Sequence, residues 1–439
     1  MKRKCTILTL FAAVALLLTG CAMRTVEDMY ALPKRSEKYS QLQSAIDAAM
    51  TGLDYCAPIS GENQQTVQTA DLNGDGVDEY LVFASGSWEK PLQVLIFQQK
   101  DDGSCVLVDI IESNGTSFEQ VEYVPFDEKP GMEIIIGCQV SDQVLRNVSV
   151  YSLEGDHIQQ HLLVGYSRFL TCDFDENGSF ELMVLRPGEM ETNPGVSVVY
   201  ASRNGQITRS SEAELSAVPS QIRRIQRGKL DGGENAVFVS SSVEEGRILT
   251  DVLTVAGNHL SNMVLSGIGY ATVDTLRNSY IYPQDIEGDG IMEIPAQLAI
   301  LPVSVWKNDE DQSLLRWFAL DPWGREVDKL HTFHNFQEGW YLSLNSEWAR
   351  RLSVIRGEDV FSFYMWNENF SEAVAVFNIY TITGSNRTEL AIADGRFLLH
   401  SGESAAYAAK LEERAHEYNI TREYLMESFR LIHQDRRGN

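Results

Sequence analysis

The sequence predicts a mainly β fold built from about five repeats of a four-stranded antiparallel unit, with six or seven units as the alternative, followed by a C-terminal α+β domain. Three observations predict it. An acidic, glycine-turned nonapeptide occurs three times; each copy runs into a short apolar segment of strand length; and alternating segments joined by Gly-containing turns fill the intervals.

The N-terminal residues are expected to lie outside the fold. Lys2-Arg3-Lys4 precedes the apolar run Thr6 to Leu18, too short to span a bilayer and flanked as a secretory leader is. The run ends in Leu18-Thr19-Gly20-Cys21, which resembles a bacterial lipobox. That resemblance makes residues 1–20 a lipoprotein signal peptide and Cys21 the lipidated (palmitate-bearing) first residue of an extracytoplasmic, membrane-anchored protein. Residues 21–60 read as an anchor segment leading into a helix, Glu37 to Leu53.

The nonapeptides are Asp71 to Glu79 (DLNGDGVDE), Asp173 to Glu181 (DFDENGSFE) and Asp285 to Glu293 (DIEGDGIME). Oxygen-bearing side chains stand at positions one, three, five and nine, with Gly at six. The copies start 102 and 112 residues apart, near twice a unit of about fifty residues. Worn copies are therefore expected midway, and Asp127 to Ile136 and Asp231 to Val239 keep the turn and strand without the first ligand. Hairpins follow: Leu92 to Phe97 with Val106 to Ile111, Asn147 to Tyr151 with Ile158 to Val164, and Val196 to Tyr200 with the segment from Gln206. Four strands per unit is the pattern of a β-propeller blade, placed at residues 61–336.

So many carboxylates in nine residues repel one another unless something cationic sits among them. Calcium takes six to eight hard oxygens, and alternating ligands on a loop turned by Gly can surround it. An EF-hand is excluded: Val82, Val184 and Ala296 stand where its bidentate Glu belongs, and the flanks are strand-like. The metal-free reading is an acidic β-turn, which Asp, Asn and Gly form unaided.

The D-x-[DN]-x-[DN]-G-x-x-[DE] loop recurring between strands resembles the FG-GAP and VCBS repeats of integrin-like propellers, over roughly Gln65 to Thr332. The resemblance implies up to three structural calcium ions. Their ligands would be Asp71, Asn73, Asp75, the Val77 carbonyl and Glu79; Asp173, Asp175, Asn177, the Ser179 carbonyl and Glu181; and Asp285, Glu287, Asp289, the Ile291 carbonyl and Glu293. Glu at position nine, where Asp is usual, and Glu287 at position three make the last site the weakest match.

Residues 337–439 read as a separate α+β domain with strands at Trp340 to Leu344, Val360 to Trp366 and Ala373 to Tyr380, and with helices at Ala405 to Tyr418 and Arg422 to Ile432, the second capped by Thr421. Thr383 to Asn386 is the alternative, a sixth worn loop. Cys56, Cys105, Cys138 and Cys172 permit two disulfides or four buried thiols.

Charge narrows the partners. The chain carries −26 formally, and −29 once Lys2, Arg3 and Lys4 leave, which argues against nucleic acid. No Walker loop or G-x-S-x-G elbow is present, and His157 and His161, on a strand, stand about 13 Å apart. His331 and His334 lack a Cys or acidic partner at metal spacing. The resemblance implies a cell-surface binding or scaffold module for a protein or glycan ligand, more consistent with a non-enzyme. Trp88, Trp306, Trp317, Trp323 and Trp340 are candidates for its ligand surface. The alternative is a glycan-active hydrolase or lyase with its site in the propeller channel, through a carboxylate pair the sequence does not locate.

Overall fold

A computed structural model describes residues 37–87, 91–100, 102–127, 129–140, 146–188, 193–243, 246–265, 272–277, 281–298 and 312–432. Cys21, Trp88 and Trp306 lie outside them, as do residues 1–20.

Alternating and apolar runs of strand length, punctuated by Gly and Asp turns, form six antiparallel sheets. The first holds Val67–Ala70, Glu79–Ser85, Leu92–Gln99 and Cys105–Ser113, with Asp54–Tyr55 added beside the second of these. The second runs Ser117–Val124, Glu133–Gln139, Arg146–Glu154 and His157–Gly165; the third Arg168–Cys172, Glu181–Arg186, Val196–Arg203 and Gln206–Glu214. The fourth takes Ile222–Lys229, Asn235–Ser242, Ile248–Ala256 and His259–Asn262. In each of these, strand order in space is strand order in sequence.

Burial follows strand position. The second strand of the first sheet is buried on both faces across Leu81 to Ala84, whereas the fourth strand of the second sheet, His157–Gly165, is mostly exposed or half-buried. This explains why the second strands read as continuous apolar runs and the fourth ones as mixed. Each sheet packs face to face on its successor. Phe83 meets Phe118 edge-on at 5.1 Å between the first and second. Ile135 and Val148 share a cluster with Leu182 and Val184; Met183 and Val199 with Val237 and Leu253; and Phe238 and Val252 with Ile294 and Phe318. The helix Glu37–Ala49 lays Leu42 and Ile46 on the outer face of the first sheet.

The fifth sheet, Ile294–Leu298, Gln312–Leu320, Glu326–Asn335 and Trp340–Leu344, takes a fifth strand, Phe429–Leu431, from the end of the chain. The sixth contains Leu352–Arg356, Val360–Trp366, Ala373–Thr383, Ala405–Leu411 and Phe397–Ser401, in that spatial order. One core joins the two, with Phe333 edge-on to Phe363 at 5.2 Å and Trp340 edge-on to Phe361 at 5.5 Å.

Two expectations are corrected here. Ala405 to Tyr418 is not a helix: Ala405–Leu411 is a strand between Ala373–Thr383 and Phe397–Ser401, and only Glu413–Tyr418 turns helically, as a 3-10 helix. Alanine favours helix, but here its small side chain fits a position sandwiched between two strands, and tertiary pairing overrides propensity. The last helix stops at Ser428 rather than Ile432, because Phe429–Leu431 pairs with Trp340–Leu344. Its cap is as expected, with the Thr421 hydroxyl accepting the Tyr424 N–H at 3.1 Å. After the strand Ala373–Thr383, the Thr383 to Asn386 segment leads into a short helix, Arg387–Leu390.

Candidate metal centres and an arginine-lined cleft

All three nonapeptides link the first and second strands of a sheet or, in the fifth, precede its first long strand. Their scaffolding is the same. The position-one carboxylate gathers backbone N–H groups from the turn: Asp71 accepts from Gly74 and Gly76 at 2.7 and 2.9 Å, Asp173 from Asn177 and Gly178 at 3.1 and 2.9 Å, and Asp285 from Gly288, Asp289 and Gly290 at 2.6 to 3.0 Å. Gly at position six has φ of +84°, +89° and +87° in turn, a region that a side chain disfavours. Val77, Ser179 and Ile291 donate their N–H groups to the position-five side chains Asp75, Asn177 and Asp289. Asp175 accepts from Asn177 N–H at 3.3 Å.

The position-nine glutamates begin the next strand and turn back under the loop. Glu79, Glu181 and Glu293 each accept, through Oε2, the N–H of position two: Leu72, Phe174 and Ile286, at 2.8, 3.1 and 2.9 Å. Glu133 makes the same bond to Phe126 at 2.7 Å. The second, worn loop is therefore in register with Pro125 at position one and Asp127 at position three. Lys129 then occupies position five, its ammonium 3.2 Å from Glu154 and 3.7 Å from Asp127. The fourth loop is shorter, and Asn235 stands where the glutamate would begin the strand.

Burial, reinforced by the neighbouring aspartates, raises all four of these glutamates. Glu133 is pushed up to about 6 and Glu181 and Glu293 to about 7, while Glu79 is raised, tempered by bonds from Leu72 and Gln98.

The loops differ in what completes them. In the fifth sheet, carboxylate oxygens of Glu287, Asp289 and Glu293 all lie within 4.8 Å of one another. Glu293 is 0% exposed, and its Oε1 has no hydrogen-bond partner among the described residues. A buried, uncompensated carboxylate oxygen beside two more carboxylates fits a hard divalent cation. In the first loop the corresponding Glu79 Oε1 already accepts from Asn73 and Gln98, at 2.9 and 3.3 Å. The last loop, the weakest match by sequence, is thus the one where acidic groups converge. Lys329 stands beside it, 2.8 Å from Asp231 and 3.5 Å from Asp289.

The loops also form one row. The position-eight N–H of one loop donates to the position-one carbonyl of the preceding loop: Met132 to Asp71 at 3.0 Å, Phe180 to Pro125 at 2.8 Å and, from the fifth loop to Lys229, Met292 at 3.0 Å. Between the third and fourth, the Asn235 amide reaches the Asp173 carbonyl at 2.5 Å.

The first strands of the second, third and fourth sheets converge on a cleft of about 540 Å³. Five arginines line it, Arg146, Arg168, Arg223, Arg224 and Arg227, against the two carboxylates Glu119 and Glu122. Arg227 reaches Glu122 at 2.8 Å and also binds Thr171, tying three sheets together. Arg146 Nε lies 3.6 Å from Glu119, Arg223 donates to Ser242, and Arg224 lies over the Tyr282 ring. This cleft escapes sequence reasoning because its arginines belong to separate sheets; their concentration in a strongly acidic chain is the one available signal.

Other candidates settle plainly. Trp317 and Trp340 are fully buried and cannot touch a ligand, whereas Trp323 is 78% exposed with the Arg325 guanidinium over its ring. Cys56, Cys105, Cys138 and Cys172 are free thiols, and burial pushes Cys138 and Cys172 up to about 12. His161 bonds Ser152 at 2.6 Å, and His331 and His334 are buried in the fifth sheet. No helix among the described residues is long and apolar enough to cross a membrane.

No family model and no curated protein matches the chain. Among solved structures it is similar to the exotype rhamnogalacturonan lyase YesX, at 13% identity and a TM-score of 0.30, with 74% of this chain and 65% of that one covered. A Bacillus licheniformis rhamnogalacturonan lyase PL11 gives 15%, 0.30, 74% and 72%, and a putative 6-phosphogluconolactonase from Bacteroides uniformis ATCC 8492 gives 10%, 0.27, 71% and 95%. The chain thus spans just under two thirds of the first of these, and likeness of this degree carries no argument about fold or activity.

Proposed function

We propose that the chain is a membrane-anchored, extracytoplasmic β-propeller of FG-GAP/VCBS type, stabilised by calcium, that serves as a binding or scaffold module for a protein or glycan ligand. The observation that carries the metal reading is the convergence of Glu293 with Glu287 and Asp289, in which the buried Glu293 keeps one carboxylate oxygen without a partner among the described residues. Sequential four-stranded sheets, packed face to face with their acidic loops in one row, support the blade reading. The ion would close the loop and fix the start of the following strand; an oxygen cage filled by protein ligands is structural rather than catalytic. Lipidation at Cys21 rests on the Leu18 to Cys21 motif.

Calorimetric unfolding of the full-length protein in chelator and in millimolar calcium tests the metal. A higher melting temperature with calcium is expected, and an unchanged one removes the calcium reading. Mass spectrometry of the membrane fraction tests the anchor: a diacylated Cys21 N-terminus is expected, and Cys21→Ser should release the protein from the membrane.

A further inference from the structure

The arginine-lined cleft inverts the charge of the molecule around it. Five guanidinium groups face two carboxylates in a chain whose formal charge is −26. Three buried polar atoms at its wall lack hydrogen-bond partners among the described residues: the donor Arg146 Nε, the Tyr166 hydroxyl and the acceptor Gln226 Oε1. Such groups cost stability unless something binds them. Desolvation and then the Arg146 charge lower Arg168, with Tyr166 and Glu119 opposing. A bound anion would add to Glu119 in favouring the charged form of Arg168.

We propose that this cleft binds an acidic oligosaccharide, with a carboxylate held between Arg146 and Arg168. The inference names the ligand class for the glycan branch of the proposed function and rests on that reading. Guanidinium groups suit carboxylates because two parallel N–H bonds match the two oxygens. A volume of about 540 Å³ is of the size that takes a small ligand. A strand-like peptide is disfavoured, since the exposed edge of Ser117–Val124 is already taken: Ile59 and Ser60 donate to the Phe118 and Glu119 carbonyls, and Asn63 to Val121. A dense polyanion such as nucleic acid meets repulsion from the acidic surface beyond the cleft.

Isothermal titration of the full-length protein with a tri-uronate oligosaccharide, a neutral trisaccharide and inorganic phosphate tests it. The tri-uronate should bind at least about tenfold more tightly than either comparison, and more weakly as salt rises. Arg146→Gln and Arg168→Gln should each weaken it by about tenfold or more. Arg168 is the more exposed and serves if the first variant does not fold. The proposal falls if the tri-uronate does not bind at millimolar concentration, if the neutral sugar or phosphate binds equally, or if a folded variant keeps full affinity. The calcium shift in melting temperature is read on the same samples: uronate binding lost with that shift intact counts against the cleft alone.

Discussion

Lys129 Nζ lies 3.7 Å from Asp127 Oδ2, at the loop position that Asp75, Asn177 and Asp289 hold in the other sheets. A covalently attached ammonium thus stands where the acidic loops would need a cation. The ammonium end of the pair is exposed, so its contribution is small: Lys129→Gln should cost no more than about 1 kcal/mol. Denaturant unfolding in chelator and in calcium checks this, and the increment should be the same in both. A variant whose loss is repaired by calcium would show that the second loop is itself a metal site.

The glutamate beneath that loop gives a pH signal. Burial raises Glu133 to about 6, against 4.5 ordinarily. The folded chain therefore holds a proton that the unfolded chain has released, and stability is fully present below about pH 4.5 and lost as pH rises through about 6. The loss should be on the order of 1 kcal/mol, because solvent reaches the loop. Glu133→Gln keeps the acceptor for Phe126 and should flatten that part of the stability profile, measured by chemical unfolding from pH 4 to 7.

The Gly-turned loops and most strands of the first four sheets were legible because their causes are local. Oxygen ligands alternate, Gly supplies the positive φ, and Leu81 to Ala84 or Leu182 to Leu185 form apolar runs bounded by turns. The register of the second loop was not, since Pro125 replaces the first ligand and Glu133 identifies itself only through its bond to Phe126. Ala405–Leu411 misleads because strand pairing, not propensity, decides it. The cleft depends on Arg146, Arg168 and Arg223 to Arg227, brought together only by the packing of three sheets. The converged carboxylates at Glu287, Asp289 and Glu293 were visible as ligands, but their ranking needed the unpaired oxygen.

That oxygen makes opposite predictions in two buffers. In chelator, Glu293→Gln removes a buried carboxylate whose Oε1 has no partner among the described residues while keeping an acceptor for the Ile286 N–H, and should leave stability unchanged or raise it. In calcium, it removes a ligand and should lower the melting-temperature gain over chelator. Calorimetry in both conditions checks the crossing; a variant equally destabilised in each would mean that Glu293 serves only the bond to Ile286.

His334 carries the acid-side counterpart. It is buried between Tyr341, stacked at 4.9 Å, and Phe336, and neither ring nitrogen has a partner among the described residues. Burial lowers it from 6.5 to about 3. The folded state refuses the proton that the unfolded chain accepts, so stability is present above pH 6.5 and lost as pH falls toward 3. By pH 5 the loss should be about 2 kcal/mol. His334→Phe keeps the stacking, removes the orphaned nitrogens, and should be more stabilising at pH 5 than at pH 7 in thermal unfolding.

The row of loops depends on close backbone approach at Gly131. Its φ is +107°, and an added Cβ would stand 2.4 Å from the Leu72 carbonyl oxygen of the preceding loop, a backbone atom that cannot swing aside. The next residue makes the connecting bond, Met132 N–H to the Asp71 carbonyl. Gly131→Ala therefore has to push the first and second loops apart, and both the strained φ and the clash oppose it. A loss of about 2 to 4 kcal/mol is expected. Hydrogen exchange separates this from a general loss of stability, since the Met132 amide should lose protection well beyond that of amides in the fourth sheet. Equal loss of protection across all sheets would mean that the contact between the loops does not hold them locally.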